Sequence, residues 1–94
     1  MARKRDRLQI IYDILKAIQG KDGRIRPTHI LYKSNLSPQM LDEYLLELIE
    51  KKFIAEQRGS GGKTYSLTEK GFEYLQKYRL VVEFVDSFGL GEEN

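Results

Sequence analysis

A mainly α chain with one small β-hairpin is predicted from three features of the sequence. Apolar residues recur at spacings of three and four over long stretches, Asn35-Leu36-Ser37-Pro38 interrupts one of them, and the glycine-rich run Arg58-Gly59-Ser60-Gly61-Gly62-Lys63 lies between two short alternating segments. Residues 28–72 therefore read as short helix, tight turn, longer helix and glycine-tipped hairpin. That order is the winged helix-turn-helix, here with a further helix behind it. Residues 1–94 are expected to form a single domain.

Each element has its own signal. Leu8, Ile11, Tyr12, Leu15 and Ile18, widened by Ile10 and Ile14, predict helix one over 5–19, which Gly20 ends. Lys21-Asp22-Gly23 is a turn, and Arg24-Ile25-Arg26 is a brief extended piece before helix two, 27–33. Asn35 tolerates left-handed backbone, Ser37 can cap the next helix and Pro38 suits its first position, so one helix stops and another starts here. Leu36 points inward between them. Helix three, 38–52, buries Leu41, Tyr44, Leu45, Leu48 and Ile49. Residues 53–57 and 64–67 are the strands of a wing hairpin, 53–67, with 58–63 as its loop. Thr68 caps the last helix, 69–87, and the residues from Gly89 onward are a frayed tail.

Composition narrows the chemistry. A 94-residue domain buries about 60–65% of its unfolded surface, so a second copy would usefully complete the core. With no Cys and a single His29, the chain cannot build a disulfide, a Cys/His zinc site or a Cys-His catalytic pair. No metal, no cofactor and no enzymatic activity are expected, because no cluster of acid, base and nucleophile can be named. Gly62-Lys63-Thr64 matches the end of a phosphate-binding loop, but Gln57 occupies the leading glycine position and the alternating Tyr65-Ser66-Leu67 follows where a helix is needed. The apolar stretch after the basic start is broken by Gln9, Asp13 and Lys16, and no run approaches the roughly 20 apolar residues of a membrane span. A cytoplasmic, nucleoid-associated location is expected, or the host cytoplasm for a virus-encoded chain.

The net charge of +2 is unevenly spread. Residues 1–26 carry eight Lys/Arg against three Asp, and 58–79 carry five against two Glu; 27–57 carry three against five acids, and 80–94 carry four acids and no base. Positive charge thus lies on the N-terminal arm and around the hairpin tip, where a duplex backbone could be gripped. Candidate phosphate contacts are Lys33, Arg58 and Lys63, helped by Arg3, Lys4, Arg5, Arg24 and Arg26. The outward face of helix three is Gln39, Asp42, Glu43, Leu46, Glu47 and Glu50, whose four carboxylates repel phosphate. Favourable contacts are then confined to its N-terminal end, near Lys33, Ser34, Asn35, Ser37 and Gln39, with any base readout falling to Asn35, Ser37 and Gln39. Tyr32 is the one tyrosine singled out as a contact; His29 is given no role. The expected partner is double-stranded DNA held mainly through its backbone. The competing expectation is a protein-interaction module that docks a basic partner on the acidic face of helix three.

The last helix has more apolar surface than one small core requires. Phe72, Leu75, Val82 and Val85 form a stripe for helix one, while Tyr74, Tyr78, Leu80, Val81, Phe84 and Phe88 cover much of the remaining circumference. A helix apolar nearly all round must be buried nearly all round. An antiparallel, two-fold homodimer is expected, with Phe72, Leu75, Tyr78, Val81, Val82, Phe84, Val85 and Phe88 at its interface.

Three local patterns bear on kinship: Tyr32-x-x-Asn35-Leu36-Ser37, then Tyr44-Leu45, then Leu67-Thr68-x-Lys70-Gly71 opening the last helix. In these, over about residues 5–85, the chain resembles the small archaeal winged-helix chromatin proteins that dimerise through a C-terminal antiparallel coiled coil. The resemblance implies sequence-tolerant DNA binding as a homodimer, with contacts near Tyr32, Asn35 and Ser37 and in the wing. Its last helix is shorter and richer in aromatics than that family pattern, and its third helix is more acidic. A specific transcriptional regulator, or a homologue carried by an archaeal virus, fits the same residues.

Overall fold

Side-chain caps decide where the helices begin. In the computed structural model, which describes residues 5–20 and 24–89, α1 (Arg7–Gln19) starts behind Asp6, whose carboxylate accepts from the Gln9 amide at 2.8 Å. The start is two residues later than expected, because the capping carboxylate is at position 6. Helix α2 (Pro27–Ser34) opens on proline and closes on Asn35, held left-handed at φ 56°, ψ 50°. Helix α3 (Pro38–Glu50) opens behind Ser37, whose hydroxyl accepts from the Met40 amide at 3.2 Å. It ends short of Lys52. Lys52 adopts φ 68°, and the amides of Lys52 and Phe53 turn back to the carbonyls of Ile49 and Leu48, a Schellman closure with lysine in the usual glycine position. The expected turn over residues 21–23 lies outside the described residues.

Strands β1 (Ile54–Gly59) and β2 (Gly62–Leu67) pair antiparallel, from Ile54 opposite Leu67 to Gly59 opposite Gly62. The six-residue loop expected at 58–63 is therefore two residues long. Arg58 and Lys63 are opposed strand residues, and Gly62 takes the positive φ, 110°, that closes the tip. Ile25 bridges Tyr65 through two backbone hydrogen bonds of 3.1 and 2.9 Å, extending the hairpin by one rung. Ile14, Leu15, Ile18, Ile25, Ile30 and Leu48 are fully buried where α1, α2, α3 and the hairpin meet. Each such side chain contributes about 1.5–3 kcal/mol by leaving water.

Helix α4 (Glu69–Ser87) starts behind Thr68, whose hydroxyl accepts from the Gly71 amide at 3.2 Å. Gly71 is needed for close approach: a Cβ there would collide with the Phe53 carbonyl oxygen and lie 3.1 Å from Leu67 Cδ2. Backbone cannot give way as a side-chain tip can, so Gly71→Ala is expected to cost about 1–3 kcal/mol. A thermal melt checks this, with a fall of about 4–8 °C expected per kcal/mol.

The face that α4 turns to α1 differs from the expected stripe. Leu75 is buried, Tyr78 stacks on Tyr12 at 4.7 Å, and Tyr74 meets Phe53 edge-on at 5.8 Å, while Phe72 and Val82 are exposed. Two hydroxyls explain the choice. Tyr74 donates to the Leu8 carbonyl at 2.8 Å and Tyr78 to Gln9 Oε1 at 3.0 Å, so these amphipathic rings satisfy both their apolar and polar parts against α1. Leu8, expected on the buried stripe, is itself exposed. Burial first, and then the neighbouring Tyr78 and Asp6, push the Tyr74 phenol from 10.0 up to about 12. The fold thus favours the protonated phenol. That stability is fully present below the ordinary pKa of 10.0 and is lost as pH rises towards about 12. Melting temperature is expected to decline through that window, and Tyr74→Phe is expected to flatten the decline.

Candidate nucleic-acid interface

The turn between α2 and α3 is held by an arginine that the sequence cast in another role. Arg5 Nη1 donates to Asp13 Oδ2 at 2.7 Å and to the Ser34 carbonyl at 2.8 Å, and Nη2 donates to the Asn35 carbonyl at 3.2 Å. The guanidinium caps the carbonyl end of α2 and ties it to α1, a favourable place for a cation at a helix C-terminus. Arg5, expected as a phosphate contact, is thus a clamp on the turn whose guanidinium is already engaged by three acceptors. Ser34 also leaves the candidate set: it is 0% exposed, and its hydroxyl donates to the Ile30 carbonyl at 2.6 Å. Asn35, Ser37 and Gln39 remain exposed around the start of α3, and Tyr32 projects beside them with 82% of its surface open. Lys33 points elsewhere: its ammonium lies 3.7 Å from where a Cβ on Gly20 would stand, at the carbonyl end of α1. Arg3 and Lys4 lie outside the described residues.

Helix α3 is less acidic in place than in sequence. Glu47 is paired with Arg7, which also lies over the Tyr44 ring at 5.8 Å, and with Lys51 at 2.9 Å. The hydrogen bond from Arg7, then that from Lys51, hold the Glu47 carboxyl below its ordinary range. Asp42, Glu43 and Glu50 remain exposed, with Leu46 among them at 69%.

The wing gathers the cations that the sequence left apart. Residues directly opposed across an antiparallel pair share a face, as do residues two apart on one strand. Arg58, Lys63, Glu56 and Tyr65 therefore share one face of the hairpin. Burial, then the charges of Glu56 and Asp42, raise the Tyr65 phenol. Arg26 reaches the tip from α2, so close that a Cβ on Gly61 would stand 2.5 Å from its Nη2. Arg58 and Lys63 thus form a basic corner of the wing, and Arg26 reaches its tip. Arg24 is exposed on the far side of the Ile25 bridge from the core. Glu56 was not foreseen as part of this corner, although alternation from Arg58 to Glu56 would have found it. Among the described residues no group of three or more acids and histidines is placed to hold a metal ion.

A family model described as winged helix-turn-helix matches residues 4–85. An uncharacterized protein of Methanocaldococcus jannaschii is 34% identical over 82 residues, which are 87% of this chain and 36% of that protein. The chain thus spans about a third of that relative's length. Among solved structures, Sso10a-2, a DNA-binding protein from Sulfolobus solfataricus, superposes with a TM-score of 0.77 at 19% identity, over 89% of this chain and 85% of that one. A winged-helix DNA-binding protein from STIV does so at 0.69 and 26% identity, over 83% and 90%. TubR bound to 24 bp of tubC, from Bacillus thuringiensis serovar israelensis, gives 0.66 at 20% identity, over 76% and 80%.

Proposed function

The chain belongs to the winged helix-turn-helix family, and on that premise we propose that it is a non-enzymatic, homodimeric DNA-binding protein, a regulator or an architectural component, that grips duplex backbone. The observation that carries this reading is the pair of cations Arg58 and Lys63 opposed on the wing, with Arg26 reaching its tip. The start of α3 offers Ser37, Gln39 and the positive end of the helix dipole, with Asn35 and Tyr32 alongside, while the rest of the helix presents acids. Contacts confined to a helix end and a wing reach phosphates more than base edges, which supports sequence tolerance. The DNA-binding relatives named above point the same way.

The homodimer rests on α4. Val81, Phe84 and Phe88 recur at spacings of three and four, all exposed, with Leu80 beside them. Phe84 and Phe88 are 64% and 65% exposed and touch edge-on at 5.1 Å. Of the residues expected at this interface, Leu75 is buried in the subunit's own core and Tyr78 stacks on Tyr12 of α1.

A gel shift on two unrelated duplexes at one salt concentration tests the reading. Comparable affinity supports backbone gripping, and preference for one duplex by a thousandfold or more, the range of sequence-specific regulators, overturns the tolerance. One observation favours a second reading: exposed Leu46, ringed by Asp42, Glu43 and Glu50, is suited to a basic protein partner. No shift of either duplex would select it.

A further inference from the structure

The corner that would meet phosphate already holds an anion of its own. Glu56 lies two residues from Arg58 on β1 and opposite Tyr65, with Lys63 diagonal to it on the same face. Its Oε2 stands 3.7 Å from Arg58 Nε and 3.5 Å from Lys63 Nζ. This oxygen is sealed from water and has no hydrogen-bond partner among the described residues. Both cations sit in the open while the carboxylate is largely covered. The oxygen thus occupies the position between two cations that a phosphate oxygen would take.

We propose that Glu56 is a positioning residue that competes with nucleic-acid phosphate for Arg58 and Lys63, and so sets how tightly the wing holds a duplex. The inference rests on the DNA-binding reading and adds to it a determinant of strength. Its direction follows from solvation. When the cations turn outward to phosphate, Oε2 stays under the hairpin face beside Tyr65 without water to replace them. An anion left unpaired out of water is costly, and that cost is subtracted from binding. The cations lose little by moving, since exposed ion pairs at these distances are weak. The carboxylate also repels the approaching phosphates directly. A neutral residue at this position removes both penalties.

The test is a salt titration of duplex affinity for the wild type and Glu56→Gln, with thermal melts of both. Glu56→Gln is expected to bind more tightly, by roughly fivefold near 0.15 M salt for each subunit engaged, with a salt slope steeper by about 0.9 per subunit. Most of that gain is expected to vanish when Arg58 and Lys63 are both alanine. Glu56→Thr, neutral and suited to a strand, is expected to repeat the effect and serves if the glutamine variant melts early. Unchanged or weaker binding by folded neutral variants overturns the proposal. So does an equal gain in the double-alanine background, which would mean a general charge effect. A wild type that binds no duplex at any salt removes the DNA-binding reading itself and this proposal with it, whereas a wild type that binds and a variant that gains nothing removes this proposal alone.

Discussion

Replacing Phe84 with Glu is expected to halve the particle mass measured by light scattering while leaving each subunit folded. The contrast follows from which way α4 faces. Leu75, Tyr74 and Tyr78 hold the helix to α1 within the subunit, whereas Phe84 lies two turns further on and two-thirds exposed, touching Phe88. A carboxylate there costs the monomer nothing that burial had provided. In the proposed antiparallel pair it enters an apolar seam twice, once from each chain, and the two like charges repel. Circular dichroism is expected to show unchanged helix content. In the proposed dimer two wings bind as a linked pair, so duplex affinity is expected to fall by about 10²- to 10⁴-fold with its loss. A mass unchanged by the substitution would place the interface elsewhere.

Substituting Arg58 and Lys63 together with alanine is expected to weaken duplex binding by roughly a thousandfold near 0.15 M salt, if both cations of both subunits engage phosphate. Four lost contacts flatten the slope of log affinity against log salt by about 3.6, and the weakening should be the same on unrelated sequences. Stability should fall modestly, because the two exposed side chains leave behind Glu56, whose Oε2 is sealed from water, without the cations that stood 3.5 and 3.7 Å away. Comparison with Arg26→Ala separates the corner from the tip, since Arg26 reaches the tip from α2. A double variant that keeps its affinity would show that the wing is idle.

Much of this architecture was legible because it is written in local chemistry. Asn35 in the left-handed region, Ser37 as a cap and Pro38 behind it act within four residues, so the turn between α2 and α3 could be read from the residues themselves. The same holds for Thr68 before α4. What escaped were pairings across sequence distance. Arg5 looks like one more cation in a basic arm until the fold brings it to the carbonyls of Ser34 and Asn35, some thirty residues on. Arg7 quiets Glu47 across forty residues, which makes α3 less repulsive than its composition. Ser34 resembles an exposed polar residue at a helix end, yet its hydroxyl satisfies itself on Ile30 and lets the turn close over it. On α4 the apolar excess was visible, but not which residues would serve α1. Hydrogen bonds from Tyr74 and Tyr78 made that choice, and periodicity does not encode them.

The measurement that bears most directly on the central claim is duplex affinity as a function of salt. With roughly four to six phosphates neutralised per dimer, log affinity is expected to fall by about 4 to 5 for each decade of salt, alike on two unrelated duplexes. Affinity that stays level from low to moderate salt, or a duplex left unbound even in dilute buffer, would contradict a protein that works by gripping the phosphate backbone.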